Sequence, residues 1–351
     1  MIIFKHFLTL FLLPRMWYPL SEITDLNVNQ INKCKIFNKD YIVYKREGED
    51  ATWVCHTSIC PHQGADLGYG YLNKNKDIVC PYHGFVFDNE GIFQGIQNQP
   101  KSSTGKRKCI EIMKTIEHDN MLFISKCSVK NHDAVYSPIE TYDASFRYIH
   151  GSRLIQSNYL TVIENLLDNL HISFVHSFGS RMSLPTKIQF SKIDTHHGKT
   201  TFEYQPNDNS ISHLFTKSSS SSSSSENRST KVIVENEYIL PTSTITRVFF
   251  GRHNIKTVFT RCCPISENES RLHWRLYRNY WIGNDLVDNV GDTVMKILME
   301  QTLDEDVCIL KHVNDDNRVG SLTTKYDRTI LEFRKSLLLH KDDDTNADNE
   351  S

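Results

Sequence analysis

No G-x-G-x-x-G unit occurs anywhere in the sequence, so a dinucleotide-binding domain is not indicated and any nicotinamide cofactor falls to a partner protein. A basic field is missing too. The 40 Lys and Arg are balanced by 42 Asp and Glu, net charge −2, which offers nucleic acid no electrostatic footing; Lys106-Arg107-Lys108 reads as a solvated loop. No apolar run approaches the roughly 20 residues that cross a bilayer. The first segment, Ile2 to Leu13, is interrupted by Lys5, His6 and Thr9 and reads as a signal-like core, a short surface anchor or an extension ahead of a start at Met16. Paired cysteine spacing is also lacking. There are nine cysteines, and apart from Cys60 and Cys80 they fall in no disulfide pattern. This points to free thiols in a reducing, cytoplasmic setting, with membrane contact through residues 1–15 left open.

What is present begins with Cys60-Pro61-His62 and Cys80-Pro81-Tyr82-His83, a C-x-H-x17-C-x2-H pair of loops. Zinc also takes mixed thiolate and imidazole ligands, but finger spacing groups the two Cys together and the two His together. Here each loop offers one Cys and one His, the arrangement that gives one iron two thiolates and a second iron two imidazoles in a 2Fe-2S cluster. Gly64 and Gly84 follow the two histidines and allow close approach of backbone amides.

Texture divides the chain. From Lys35 to Ser125, short β-rich runs (Ile42 to Tyr44, Thr52 to Cys55, Ile78 to Val79, Phe85 to Phe87, Ile110 to Met113, Met121 to Ile124) predict a small antiparallel β domain over residues 16–130. From 131 to 340 the spacing predicts a helix over Tyr159 to Phe174 and strands at Thr200 to Tyr204, Lys231 to Ile239, Thr244 to Phe250, Thr257 to Cys262 and Arg271 to Tyr277. A long helix follows from about Leu286 to His312. The fold class is therefore α+β, an all-β domain followed by an antiparallel sheet that grips a long C-terminal helix and leaves a cavity. The serine run Ser218 to Ser225 predicts a flexible insertion over 217–230, and residues 341–351 a disordered acidic tail.

A second cluster of metal-ligand residues lies at Asn165, Asp168, His171 and His176. Asp168 and His171, three apart, share a face of the expected helix. His176, five beyond His171, converges with it only if the helix bends or ends, and Phe178-Gly179-Ser180 supplies an exit. Two histidines and one carboxylate on one face suit a mononuclear Fe(II) with open positions. The bland alternative is a helix with two partly buried histidines and an acidic cap.

Cys60-Pro-His62-Gln-Gly64 and Cys80-Pro-Tyr-His83-Gly84-Phe85-Val-Phe87, followed by N-x-x-D-x-x-H-x4-H, resemble the two motifs of the Rieske non-haem iron oxygenases, over about Met16 to Val313. The resemblance implies a Rieske domain whose cluster is held by Cys60, His62, Cys80 and His83, without the loop disulfide of respiratory Rieske proteins. It also implies a helix-grip catalytic domain with iron on His171, His176 and an acid from the C-terminal helix. Asp306 best matches the family's Glu-Asp pattern; Asp304 and Glu305 compete. Asp168 is expected to orient His171 and to accept a hydrogen bond from His83 of the partner subunit in a homotrimer. Electrons would come from NAD(P)H through a reductase or ferredoxin, with dioxygen as oxidant. Tyr238-Ile239-Leu240-Pro241, Arg261, Pro264-Ile265 and Arg275 to Trp281 resemble monooxygenases that demethylate aromatic ethers, and pheophorbide oxygenase and sterol desaturase relatives. This implies hydroxylation, demethylation or desaturation of a hydrophobic ring-containing small molecule. The rival expectations are a Rieske electron carrier with a non-catalytic ligand-binding domain and an inactive relative acting as a redox sensor.

Overall fold

A computed structural model describes residues 16–46, 52–99, 107–126, 135–207, 210, 231–251, 253–313 and 322–348. The apolar segment 1–15 and the insertion 217–230 lie outside the described residues. Two compact units meet in sequence at Val135/Tyr136, and the strand end Cys263–Glu267 groups with the first. No helix among the described residues is long and apolar enough to cross a membrane.

The first unit carries β1 (Tyr18–Glu22), β2 (Asn32–Ile36), β3 (Lys39–Lys45), β4 (Trp53–Thr57), β5 (Tyr71–Leu72), β6 (Ile78–Val79), β7 (Phe85–Phe87), β8 (Phe93–Ile96), β9 (Ile112–His118) and β10 (Met121–Ser125). They form an antiparallel sheet of order β1-β10-β9-β4-β3-β2 and a smaller one of order β5-β6-β7-β8. Ile42, Tyr44, Val54, Leu67, Ile78, Phe87 and Ile110 build one core, and Cys60 and Cys80 belong to it. Each large side chain buried there contributes roughly 1.5–3 kcal/mol, so the two thiol-bearing loops leave a rigid base. The sequence reading missed β1, β2, β5 and β8. β2 (Asn-Lys-Cys-Lys-Ile) is a mostly polar edge strand, while β5 and β8 are two and four residues long.

The second unit contains β11 (Arg147–Ile155), α1 (Tyr159–Leu167), β12 (Thr186–Lys192), β13 (His197–Tyr204), β14 (Val232–Ile239), β15 (Ser243–Phe250), β16 (Asn254–Ser266), β17 (Glu269–Arg278), α2 (Asp285–Leu310) and α3 (Arg328–Asp348). Its strands make one antiparallel sheet, β11-β17-β16-β15-β14-β13-β12. Alternation decides the two faces. Ile239, Ile245, Phe259 and Tyr277 pack on one side with Tyr136 and Phe146. Val234, Thr246, Val248 and Val258 face a cavity on the other.

α2 starts where the Asn284 side chain accepts a hydrogen bond from the Val287 amide, with Asp285 and Asp288 in the first turn, a charge placement favoured by the helix dipole. Its buried residues are Gly291, Met295, Met299, Leu303, Asp306 and Leu310, spaced three or four apart. They form one stripe facing the sheet.

Two expectations are corrected. The helix expected to run from Tyr159 to Phe174 ends at Leu167, and Asp168 is extended (φ −72, ψ 117). Residues 341–348, expected in a disordered tail, carry on the backbone of α3. α3 was not foreseen, although Thr324 and Asp327 form a capping box just ahead of it. Thr329, Phe333 and Ser336 are buried on one stripe, with the Ser336 hydroxyl 3.1 Å from the Tyr238 hydroxyl. A nucleated helix propagates cheaply, and with neither Pro nor Gly after Arg328 nothing stops it.

Candidate functional site

The two thiol-bearing loops are built alike. The Cys60 amide donates to the Ala65 carbonyl at 2.8 Å and the Gly64 amide to the Cys60 carbonyl at 2.9 Å. Likewise the Cys80 amide donates to Phe85 at 2.8 Å and the Gly84 amide to Cys80 at 3.1 Å. Both turns close with a left-handed residue, Gly64 at φ +74 and Gly84 at φ +68, a conformation that side chains with a Cβ disfavour. Both cysteines are buried, whereas His62 and His83 are exposed with ring centroids 4.8 Å apart, and His62 stacks on Phe85 at 4.3 Å. Burial, with Cys80 beside it, pushes the Cys60 thiol up. As a free thiol it would be inert, and a metal would be needed to hold it as thiolate. Paired deep sulfurs with paired imidazoles at the rim fit the two halves of a Rieske cluster.

In the second unit, the break after α1 brings the histidines together. Asn236 donates through Nδ2 to the Leu166 carbonyl at 3.0 Å, satisfying an end of the helix. The Asp168 carboxylate then accepts hydrogen bonds from the amides of Leu170 (2.7 Å) and His171 (3.3 Å), an Asx turn that starts the single 3₁₀ turn His171–Ser173. Asp168 and His171 thus do not share a helical face. The Asp168 group beside the His171 ring is its main-chain carbonyl, which lies 2.7 Å from His171 Nδ1.

That hydrogen bond places a proton on His171 Nδ1, so that the neutral ring has its lone pair on Nε2. His176 Nδ1 lies 3.1 Å from Glu305 Oε2. Burial works against ionisation of Glu305, but the Ser177 groups and His176 outweigh it and hold the carboxyl below its ordinary range. It therefore accepts a proton-bearing Nδ1. Burial also lowers the His176 pKa, the Asp306 charge opposing, and the neutral ring with its proton on Nδ1 has its lone pair on Nε2. The two Nε2 atoms are 3.1 Å apart, and Asp306 Oδ1 lies 3.6 and 3.7 Å from them. Asp306 Oδ1 is buried without a hydrogen-bond partner. With both rings neutral, three acceptors converge within 4.8 Å of one another, an arrangement that a bound cation relieves. Two imidazoles and a carboxylate fit a mononuclear iron.

The acids competing with Asp306 are otherwise engaged. Asp304 pairs with Arg153, and Glu305 braces His176 while receiving the Ser177 amide at 3.2 Å. Second-layer carboxylates of this kind typically set metal affinity by about 10–100-fold. Glu305→Gln keeps the shape and loses the charge. Its Fe(II) affinity, read by competition with a chelator, is expected to fall by about that factor.

A cavity of about 450 Å³ opens beside these groups. Asp168, His171, His176 and Asp306 line it, with walls that include Phe178, Phe202, Val234, Val248, Val258 and Met299. Of the residues that resembled ring-modifying relatives, Leu276 and Tyr280 reach it. Tyr238 and Arg261 are buried elsewhere, bonding to Ser336 and to Ser137 with the Tyr136 carbonyl. The sequence reading missed Asn236 and Lys256; each sits at an inward position of an alternating strand, which was the available signal.

Comparison with known proteins agrees with both halves. Residues 16–116 match the Rieske [2Fe-2S] domain, and residues 155–338 match the vanillate O-demethylase oxygenase C-terminal domain. Protochlorophyllide-dependent translocon component 52, chloroplastic, of Arabidopsis thaliana is 25% identical over 91% of this chain and 64% of its own length. Pheophorbide a oxygenase, chloroplastic, of Oryza sativa subsp. japonica is 28% identical over 46% of this chain and 32% of its own. The chain thus spans less than two thirds of the length of these curated relatives. Among solved structures, dicamba monooxygenase bound to 3,6-dichlorosalicylic acid superposes with a TM-score of 0.72 at 17% identity, over 95% of this chain and 98% of that one. At that identity the likeness is one of fold.

Proposed function

The chain belongs to the Rieske oxygenases that carry a vanillate O-demethylase-type C-terminal domain, and from that premise we propose that it is an oxygenase component that oxidises a hydrophobic, ring-containing small molecule. Cys60, His62, Cys80 and His83 hold the 2Fe-2S cluster, and His171, His176 and Asp306 hold one Fe(II). When loaded, the two centres supply single-electron transfer and an open iron face for dioxygen chemistry.

The chain's own residues supply the setting. The Asp168 carbonyl and the Glu305 carboxylate fix the tautomers of His171 and His176, so both offer Nε2 to the same point. Phe178 stacks on His176 at 4.9 Å, and the apolar walls exclude water and favour a ring-shaped guest. The electron source in this reading is NAD(P)H through a reductase or ferredoxin. The assembly is a trimer in which the Asp168 carboxylate accepts a hydrogen bond from His83 of the partner subunit. The exposed rim position of His83 supports this, as does the half-buried Asp168 on the cavity wall.

The observation that carries the proposal is the close meeting of His171 Nε2, His176 Nε2 and Asp306 Oδ1. Iron and acid-labile sulfide counted on the purified protein test it. About three irons and two sulfides per chain are expected; two irons with two sulfides would favour the electron-carrier reading instead.

A further inference from the structure

Lys256 stands out on the cavity wall. On β16, Lys256 and Val258 face the cavity, while Thr257 turns away to donate to Glu140 and Phe259 joins the opposite core. Across the ladder it faces Val248, and its ammonium lies 6.0 Å from the centroid of the Phe178 ring. No hydrogen bond or ion pair of that ammonium is found among the described residues. The neighbouring acids of the sheet project from the opposite face and are taken: Glu235 by Lys199, Glu237 by Arg247 and His197. The carboxylates lining the cavity are Asp168 and Asp306, and both belong to the iron end.

A lysine at a cavity wall ordinarily snorkels, its stem packed and its head in water. Lys256 is half-buried as a residue, yet burial of the ammonium pushes its pKa down to about 8, with no opposing charge. A desolvated, unpaired cation is costly to keep. Structural economy offers no return for that cost here, because a methionine would fill the same space among Val248, Phe250 and Val258.

We infer that Lys256 is a specificity-determining residue, and that the ring-containing substrate carries a carboxylate that pairs with its ammonium. This rests on the oxygenase reading for calling the guest a substrate, but not for the binding itself. The charged side chains lining the cavity are then Lys256 and, at the iron site, Asp168 and Asp306. Phe178 links the two, stacked on His176 at 4.9 Å and with its ring centroid 6.0 Å from the Lys256 ammonium. A guest whose anion sits at Lys256 presents its opposite edge to His171, His176 and Asp306. A neutral ring system leaves the buried ammonium unpaired, which is how a polar site rejects an otherwise fitting apolar molecule. An ammonium is a point charge without a fixed fork, so it sets the guest's polarity and leaves its fine orientation to the walls.

The test is binding, read by isothermal titration calorimetry on the metal-loaded full chain under argon without reductant. The probes are one- to four-ring aromatic and alicyclic carboxylic acids, each paired with its own carboxamide. In the wild type at least one acid is expected to bind about tenfold or more tighter than its amide, as a charge-assisted hydrogen bond in a dry site predicts. Lys256→Met is expected to bring that ratio to about one without weakening the amide, and Lys256→Arg to keep most of it. Because the ratio is taken within one preparation, a variant that folds incompletely still reports it. Acids and amides binding alike to the wild type, a ratio unchanged in Lys256→Met, or no acid bound at all would each overturn the inference. Iron content is the separate readout: a missing third iron sinks the oxygenase reading and leaves the acid-to-amide ratio standing.

Discussion

His171→Ala is expected to abolish substrate-dependent oxygen consumption and to lower iron from about three to about two per chain, with the Rieske spectrum unchanged. The selectivity follows from where the two sets of ligands are built. Cys60 and Cys80 are part of a core assembled from β3, β4, β6 and β7 of the first unit. His171 sits in one 3₁₀ turn of the second. The fold uses little of its side chain: the turn is closed by the Asp168 carboxylate on the amides of Leu170 and His171 and by the Phe174 amide on the His171 carbonyl. Alanine keeps all of these. What is lost is one of three converging acceptors, and a single imidazole with a carboxylate holds iron poorly in competition with water. Loss of the metal's contribution, several kcal/mol, corresponds to a rate reduction of about 10³-fold or more. Fe(II) should raise the melting temperature of the wild type by binding only the folded state, and should leave the variant unmoved. A variant that kept its oxygen consumption would remove His171 from the iron.

Much of this was legible in the sequence because two kinds of signal were strong. The C-x-H-x17-C-x2-H spacing fixes which residue types must meet. Alternation in stretches such as Lys231 to Ile239 and Thr244 to Phe250 gives strands whose faces follow automatically. The buried position of Asp306 was readable too. Among Asp304, Glu305 and Asp306, it alone falls on the stripe of Met295, Met299, Leu303 and Leu310, and a carboxylate at a core position needs a reason.

Periodicity said less where local side-chain hydrogen bonds compete with the helix. Leu166 to Phe174 is apolar enough to continue α1. Asp168 nevertheless satisfies the backbone of the next turn, and Asn236, distant in sequence, takes the Leu166 carbonyl. Asp-Asn after a leucine run was the visible sign. The distant partner was invisible, since nothing in one strand names the helix end it will cap. Lys256 was illegible for a related reason: a single lysine in a strand is unremarkable until the sheet shows which way it faces.

That double use of Asp168 separates two roles by substitution. Asp168→Asn retains an Oδ1 able to accept from the Leu170 and His171 amides, and Asn forms an Asx turn as Asp does. The main-chain carbonyl that orients His171 is untouched. Iron and sulfide contents, and the melting temperature, are therefore expected to stay at wild-type values. If the carboxylate also carries the link to His83 of the partner subunit, the charge is what matters. Reoxidation of a pre-reduced cluster by oxygen and substrate should then slow about a hundredfold in a single turnover. Asp168→Ala removes both roles, so it should show the same slowing and lose in addition about 1 kcal/mol of turn hydrogen bonding, lowering the second unit's transition by about 2–4 °C. Normal reoxidation in Asp168→Asn would confine Asp168 to the turn and break the proposed path between the two centres. Loss of iron in that variant would show that the carboxylate acts through the position of His171, because the only change the amide makes at the turn is the removal of a charge 2.7 Å from the Leu170 amide.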